Sequence, residues 1–185
     1  MAFLFTSQTP NLQTAEANPG PTLGTVIIPS VAGVIDQLGV FAPVSLPSNA
    51  ATAPFVLWDH VTATELGRVV RGSLTANAWN YATLASPVSV SAGQRLVVSW
   101  RTADNYALIT SFFASSGLTN GLLSAPATGS DPIGNGRFAS AADAYPTGTF
   151  SGHCYLTDYN FTPSSSFVAG RPLEIGQAVN RSNTY

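Results

Sequence analysis

Gln94-Arg95-Leu96-Val97-Val98-Ser99-Trp100-Arg101-Thr102 alternates with a period of two. Leu96, Val98 and Trp100 fall on one face, opposed by Arg95, Val97, Ser99 and Arg101. That is the pattern of a β-strand laid against a core. Ala103-Asp104-Asn105 follows as a turn, so residues 106–113 are expected to return beside it as a hairpin partner. Working outward, residues 3–8, 22–28, 34–41, 54–59, 65–73 and 79–84 are further short β-rich runs bounded by turn residues. A last strand over 153–161 places Tyr155, Tyr159 and Phe161 on one side.

Gly (16) and Pro (13) recur along the chain, and no long stretch carries the 3.6-residue period of an amphipathic helix. About ten short strands of this kind predict an all-β fold, an antiparallel β-sandwich of jelly-roll or immunoglobulin-like type, over residues 1–162. Between the strands at 106–113 and 153–161 runs a Gly/Pro/Ser-rich segment, 114–152. Its length marks it as a functional or packing loop. After Thr162-Pro163 the composition changes, and Ser164-Ser165-Ser166 reads as a hinge. Residues 163–185 then form an extended C-terminal arm with too little apolar area to dock on its own domain. Phe167, Val168, Arg171, Leu173, Ile175 and Tyr185 are its candidate contacts with a neighbouring subunit.

Charged residues make up 9% of the 185-residue chain, against about 25% in an average soluble protein. All seven basic residues are arginine and the net charge is −2, so nothing here attracts nucleic acid or an anionic membrane. A surface this poor in charge points to one covered by neighbours. The apolar run at Met1–Gln8 is shorter than that of an export signal and lacks a positive flank. No stretch approaches the roughly 20 apolar residues of a membrane-spanning helix. Assembly in a host cytoplasm is therefore the expected location, with a bacterial cell surface or the exterior as the alternative.

Catalysis needs convergent groups, and the inventory is thin. Cys154 is the only cysteine; it reads as a small buried hydrophobe, and adjacent His153 would point to the opposite face of a strand. His60 and His153 lie in no Cys/His cluster of metal-ligand spacing. Most of the nine acids fall in turns, where Asp caps its own backbone. Asp131 with Asn135 is the one Ca²⁺ candidate, but Asp131-Pro132-Ile133-Gly134-Asn135 lacks the dense acidic spacing of hard-cation loops. No catalytic residue, metal or cofactor is assigned. Trp58, Trp79 and Trp100 read as packing residues, whereas Tyr106, Tyr145 and Tyr155 are expected to be partly exposed. Tyr145 and Tyr155 with Asn160 form the candidate ligand-binding set, a saccharide face of aromatics flanked by an amide.

Several stretches resemble the DUF4082 family. Phe5-Thr6-Ser7-Gln8-Thr9-Pro10 is similar to its opening strand. Ala32-Gly33 with Ile35, Leu38, Val40 and Phe41 resembles its second conserved strand, and Leu57-Trp58 the LW pair that follows. Trp79 and Ser86–Gly93 resemble its W…PV.ITAG segment. Phe113-Ala114-Ser115-Ser116-Gly117, Asn120-Gly121-Leu122, Gly134-Asn135-Gly136-Arg137-Phe138 and Tyr145-Pro146-Thr147 are similar to its FASSG, NG.L, GNG and FPT motifs. The resemblance covers roughly 3–162 and implies a sandwich-like module of secreted bacterial surface proteins and carbohydrate-active enzymes, serving adhesion or sugar association. His153-Cys154 stands where the family has small or amide residues.

Together these features lead to the expectation of a non-enzymatic structural or adhesion protein. A phage virion component fits: a capsid decoration, head fibre or minor tail protein packing against copies of itself or other virion proteins. The alternative is a carbohydrate-binding module for cell-surface adhesion, and a virion appendage that binds a host glycan would be both.

Overall fold

The computed structural model describes residues 1–15, 20–129, 134–140 and 144–164. Among them thirteen strands form and no helix. The arm candidates Phe167, Val168, Arg171, Leu173, Ile175 and Tyr185, and Asp131 of the Ca²⁺ candidate, lie outside the described residues.

The strands are β1 (Leu12–Ala15), β2 (Thr22–Pro29), β3 (Gly33–Ala42), β4 (Pro54–Asp59), β5 (Glu65–Val70), β6 (Ala78–Val90) and β7 (Leu96–Arg101). They continue as β8 (Asn105–Leu108), β9 (Leu118–Asn120), β10 (Leu123–Ala125), β11 (Arg137–Ala139), β12 (Gly148–Thr149) and β13 (Thr157–Pro163). The larger sheet has the order β12-β11-β2-β7-β4-β5, with β10 also paired to β2 and β9 to β10; the smaller is β13-β3-β6, and β1 and β8 form a separate two-stranded ribbon. Every paired strand is antiparallel, and β13 packs over β2 and β7 while β3 packs over β4 and β7. This is a β-sandwich.

The alternation of β7 decides which face is inside. Leu96, Val98 and Trp100 join Leu23, Ile27, Phe55 and Leu57 of the same sheet in the main core. Ile35, Leu38, Val40, Leu84, Tyr159 and Phe161 meet them from the other sheet. Burying side chains of this size stabilises by roughly 1.5–3 kcal/mol each. The opposite face of the larger sheet is not left to water. Val26, Val56, Trp58 and Val97 are buried there with Ile28 and Tyr145 packed on them, and the Trp58 indole donates to Ser99 Oγ at 2.8 Å.

Three expected elements differ, among them the last strand, which begins at Thr157 rather than at 153. Residues 106–113 do not pair with β7, because both edges of β7 are already taken by β2 and β4. The strand there ends at Leu108 and pairs with β1 instead. Residues 3–8 form no strand of their own. Ala2 bridges Phe161 on β13, and the next amides turn to a side chain rather than to a neighbouring backbone. The long segment 114–152 carries four short strands, β9 to β12, two of which line the free edge of β2.

That side chain is Asp158 of β13, fully buried. One carboxylate oxygen accepts the N–H of Leu4 (3.2 Å) and of Tyr159 (2.8 Å), the other that of Phe5 (3.0 Å). Phe5 stacks on Trp79, and Phe3 tilts against Tyr81, so the N-terminal segment covers the outer face of the smaller sheet. Burial pushes the Asp158 carboxyl up to about 7, against the pull of the Phe5, Tyr159 and Leu4 N–H groups in the other direction. Its folded pKa thus lies above its unfolded value of 3.8. The native state holds a proton that the unfolded chain releases, so this group's contribution to stability falls as pH rises from about 4 to about 7. Asp158→Asn is expected to flatten that part of the stability–pH profile, measured by urea unfolding at several pH values. A slope unchanged in the variant would contradict the assignment.

Candidate functional site

At the end of the sandwich where β1, β8 and β11 meet the turn before β13, a cleft of about 510 Å³ opens. Leu12 and Thr14 of β1, Pro21 and Leu23, Tyr106 and Leu108 of β8, Phe138 and Ser140, and Phe150, His153 and Tyr155 line it. Its volume lies within the roughly 300–1,000 Å³ common for small-molecule sites. Among the described residues, no lining side chain carries a formal charge at neutral pH. Phe150, 57% exposed, stands at the rim.

The walls are held from below by the segment between β10 and β11. On the free edge of β2, β10 pairs with Pro29 and Ile28, and β11 with Gly24, Leu23 and Thr22. Val26, between them, has no backbone partner on that side. Asn135 supplies one: its Oδ1 accepts the Val26 N–H at 3.0 Å, and its Nδ2 donates to the Val26 carbonyl at 3.2 Å. The amide therefore stands in for a strand residue. It also accepts from Gly136 N–H and donates to the Pro126 carbonyl, which leaves it fully engaged and buried. The Asn135 oxygen, one half of the Ca²⁺ candidate weighed above, thus already holds two N–H donors.

Flanking Gly134 and Gly136 have φ of +74° and +72°. A Cβ on Gly136 would overlap the His153 carbonyl, so the turn lies directly against the His153 backbone. Arg137, also buried, donates from Nε to the Pro146 carbonyl (3.0 Å) and from an Nη to that of Thr147 (3.0 Å), and its guanidinium sits over the Tyr145 ring. Phe138, the next residue, faces the cleft.

The three candidate ligand residues go to three places. Tyr155 lines the cleft, although it is buried rather than partly exposed: its ring packs edge-on against Tyr106, which is equally buried. Tyr145 is elsewhere, packed on Trp58, with its hydroxyl engaging the Nδ1 and the carbonyl of His60. Asn160 is buried on β13 and donates to Asp36 at 2.9 Å. Phe138, Phe150 and His153 are cleft residues absent from the candidate set. The aromatic content of the stretch from Tyr145 to Tyr155 was the available signal for Phe150.

His153 and Cys154 lie before β13, outside any strand, and their side chains part there. Cys154 lies in the core, and burial pushes its thiol up to about 12, so it stays protonated. The His153 Nδ1 accepts the Ser111 N–H at 2.9 Å, which leaves the ring proton on Nε2. Among the described residues, no three His, Cys, Asp or Glu side chains gather where they could hold a metal ion.

Residues 7–157 match the family model described as Domain of unknown function (DUF4082). No curated protein matches the chain.

Burial lowers the His153 pKa below its ordinary 6.5, and protonating Nδ1 would set two donors against each other at Ser111 N–H. Nitrogen-15 NMR of the imidazole is expected to give the Nε2–H tautomer at pH 7 and a midpoint below that of a free histidine. An Nδ1–H tautomer would contradict the geometry. Because the unfolded chain takes up this proton first, acidification through about 6.5 should lower stability.

Proposed function

The chain belongs to the DUF4082 family, and from that premise and the shape of its cleft we propose a non-enzymatic adhesion module that binds a saccharide. The observation that carries this is the cleft itself: aromatic walls on a rigid all-β support, with hydroxyl and imidazole groups set among apolar ones. Sugars present an apolar C–H face and a polar rim, and aromatic rings with a few placed hydrogen-bonding groups suit both. The groups that could have done covalent chemistry are occupied otherwise. The thiol of Cys154 is buried and protonated, and the His153 Nδ1 is bonded to the backbone.

We place this module in a repetitive assembly such as a phage virion, where many copies of a weak site act together. The low charge of the chain supports that setting. So do the apolar side chains Val44, Leu46, Val61 and Val70, which stand exposed. Mass photometry of the full chain is expected to give a multimer, and a monomer at every concentration would count against the assembly.

Phe150→Ala removes the rim ring without opening the core. On a glycan array or with purified cell-wall polysaccharide, it is expected to weaken binding about tenfold, or ~1.4 kcal/mol, at unchanged melting temperature. Val70→Ala, on the opposite edge of the larger sheet, should bind as the parent does. Equal binding by parent and Phe150→Ala would overturn the assignment of the cleft.

A further inference from the structure

The polar groups of the cleft are not equivalent, because one of them has its direction fixed by the fold. His153 accepts the Ser111 N–H with Nδ1, so its Nε2 carries the proton and acts only as a donor. Its ring stands edge-on between Phe150 (centroids 5.2 Å apart, 75°) and Tyr155 (6.4 Å, 80°). Ser111 itself is held in the left-handed region, φ 53°, by a loop tied down where Phe113 N–H donates to the Gly152 carbonyl at 2.7 Å. A non-glycine residue in that region costs free energy and persists where the surroundings over-determine it. Gly136 closes on the His153 backbone from the other side.

We infer that the cleft selects an uncharged pyranose, one of whose oxygens accepts the His153 Nε2 proton while an apolar ring face rests on the lip formed by Phe150 and Leu12. The inference rests on the cleft being the binding site and names what it binds. Three ligand classes can be compared. A carboxylate or phosphate ligand would leave water for a site whose described lining residues offer no formal positive charge to replace its hydration. A wholly apolar ligand would seal the Nε2 proton away without an acceptor, and a buried donor left unmade disfavours binding. A neutral sugar meets both conditions. The exposed edges of Phe150 and Leu12, 57% and 42%, give its C–H face a place to lie.

The test uses the full chain with nitrogen-15-labelled histidine, titrated with methyl glycosides of glucose, galactose, mannose and fucose. Glucuronate and N-acetylneuraminate serve as charged probes. At least one neutral glycoside is expected to move the His153 Nε2 signal. His153→Ala should weaken that glycoside about tenfold, and His153→Gln, which keeps an N–H donor, should recover part of the loss. Melting temperatures establish that both variants fold. If only the acids bind, and Phe150→Ala still abolishes it, the cleft stands and its selectivity for neutral sugars is overturned. If His153→Ala binds as the parent does while Phe150→Ala is weakened, the donor role is overturned. If no probe moves the His153 signal and Phe150→Ala leaves glycan binding intact, the cleft itself is the wrong place.

Discussion

The pairing of the Asn135 amide with Val26 is the contact on which the rest of the cleft depends. Without it the edge of β2 would carry a bare N–H and C=O between β10 and β11. An unmade pair of that kind in a buried place costs about 1–3 kcal/mol per group. Because one side chain fills the gap, the chain can leave the sheet after β10 and return at β11 without breaking the edge. The return brings Gly136 against the His153 backbone and Phe138 into the cleft wall, while Arg137 fixes the carbonyls of Pro146 and Thr147. A short polar contact on the sheet edge thereby sets the position of an aromatic site.

The same economy explains how so few charges suffice. Many serve the backbone rather than the surface. Asp59 accepts from Val61 and Thr62 N–H, Asp104 from Ser48 and Asn105, and Asp158 from Leu4, Phe5 and Tyr159. Arg71 reaches the carbonyls of Ser73 and Tyr81, the latter in the outer strand of the smaller sheet. Glu65 and Arg68 form an exposed ion pair on β5, an edge strand, where charge discourages a second sheet from adding. Pairs of this exposed kind add little stability.

Local pattern made much of the sandwich legible. The alternation of β7 fixed its core face, and the apolar run at Pro54–Asp59 matches β4 residue for residue. Strand partnership was not legible in the same way. The Ala103–Asn105 turn looks like a hairpin, but nothing near it tells that β2 and β4 occupy both sides of β7. The site divides similarly. Tyr155 was visible as an aromatic beside a Gly-rich loop. His153 was not, because its value as a donor depends on the Ser111 amide, 42 positions away. The task of Asn135 was hidden for a related reason: only the gap opposite Val26, far away in sequence, gives the amide something to pair with.

Amide hydrogen exchange at Val26 tests the central contact most directly. Paired with Asn135, that N–H should exchange only on global unfolding, as slowly as its strand neighbours. In Asn135→Ala it should become fast while amides in β4 and β7 stay protected, and the His153 and Phe138 signals should shift with it. Fast exchange at Val26 in the parent protein, or slow exchange persisting in the variant, would contradict the account.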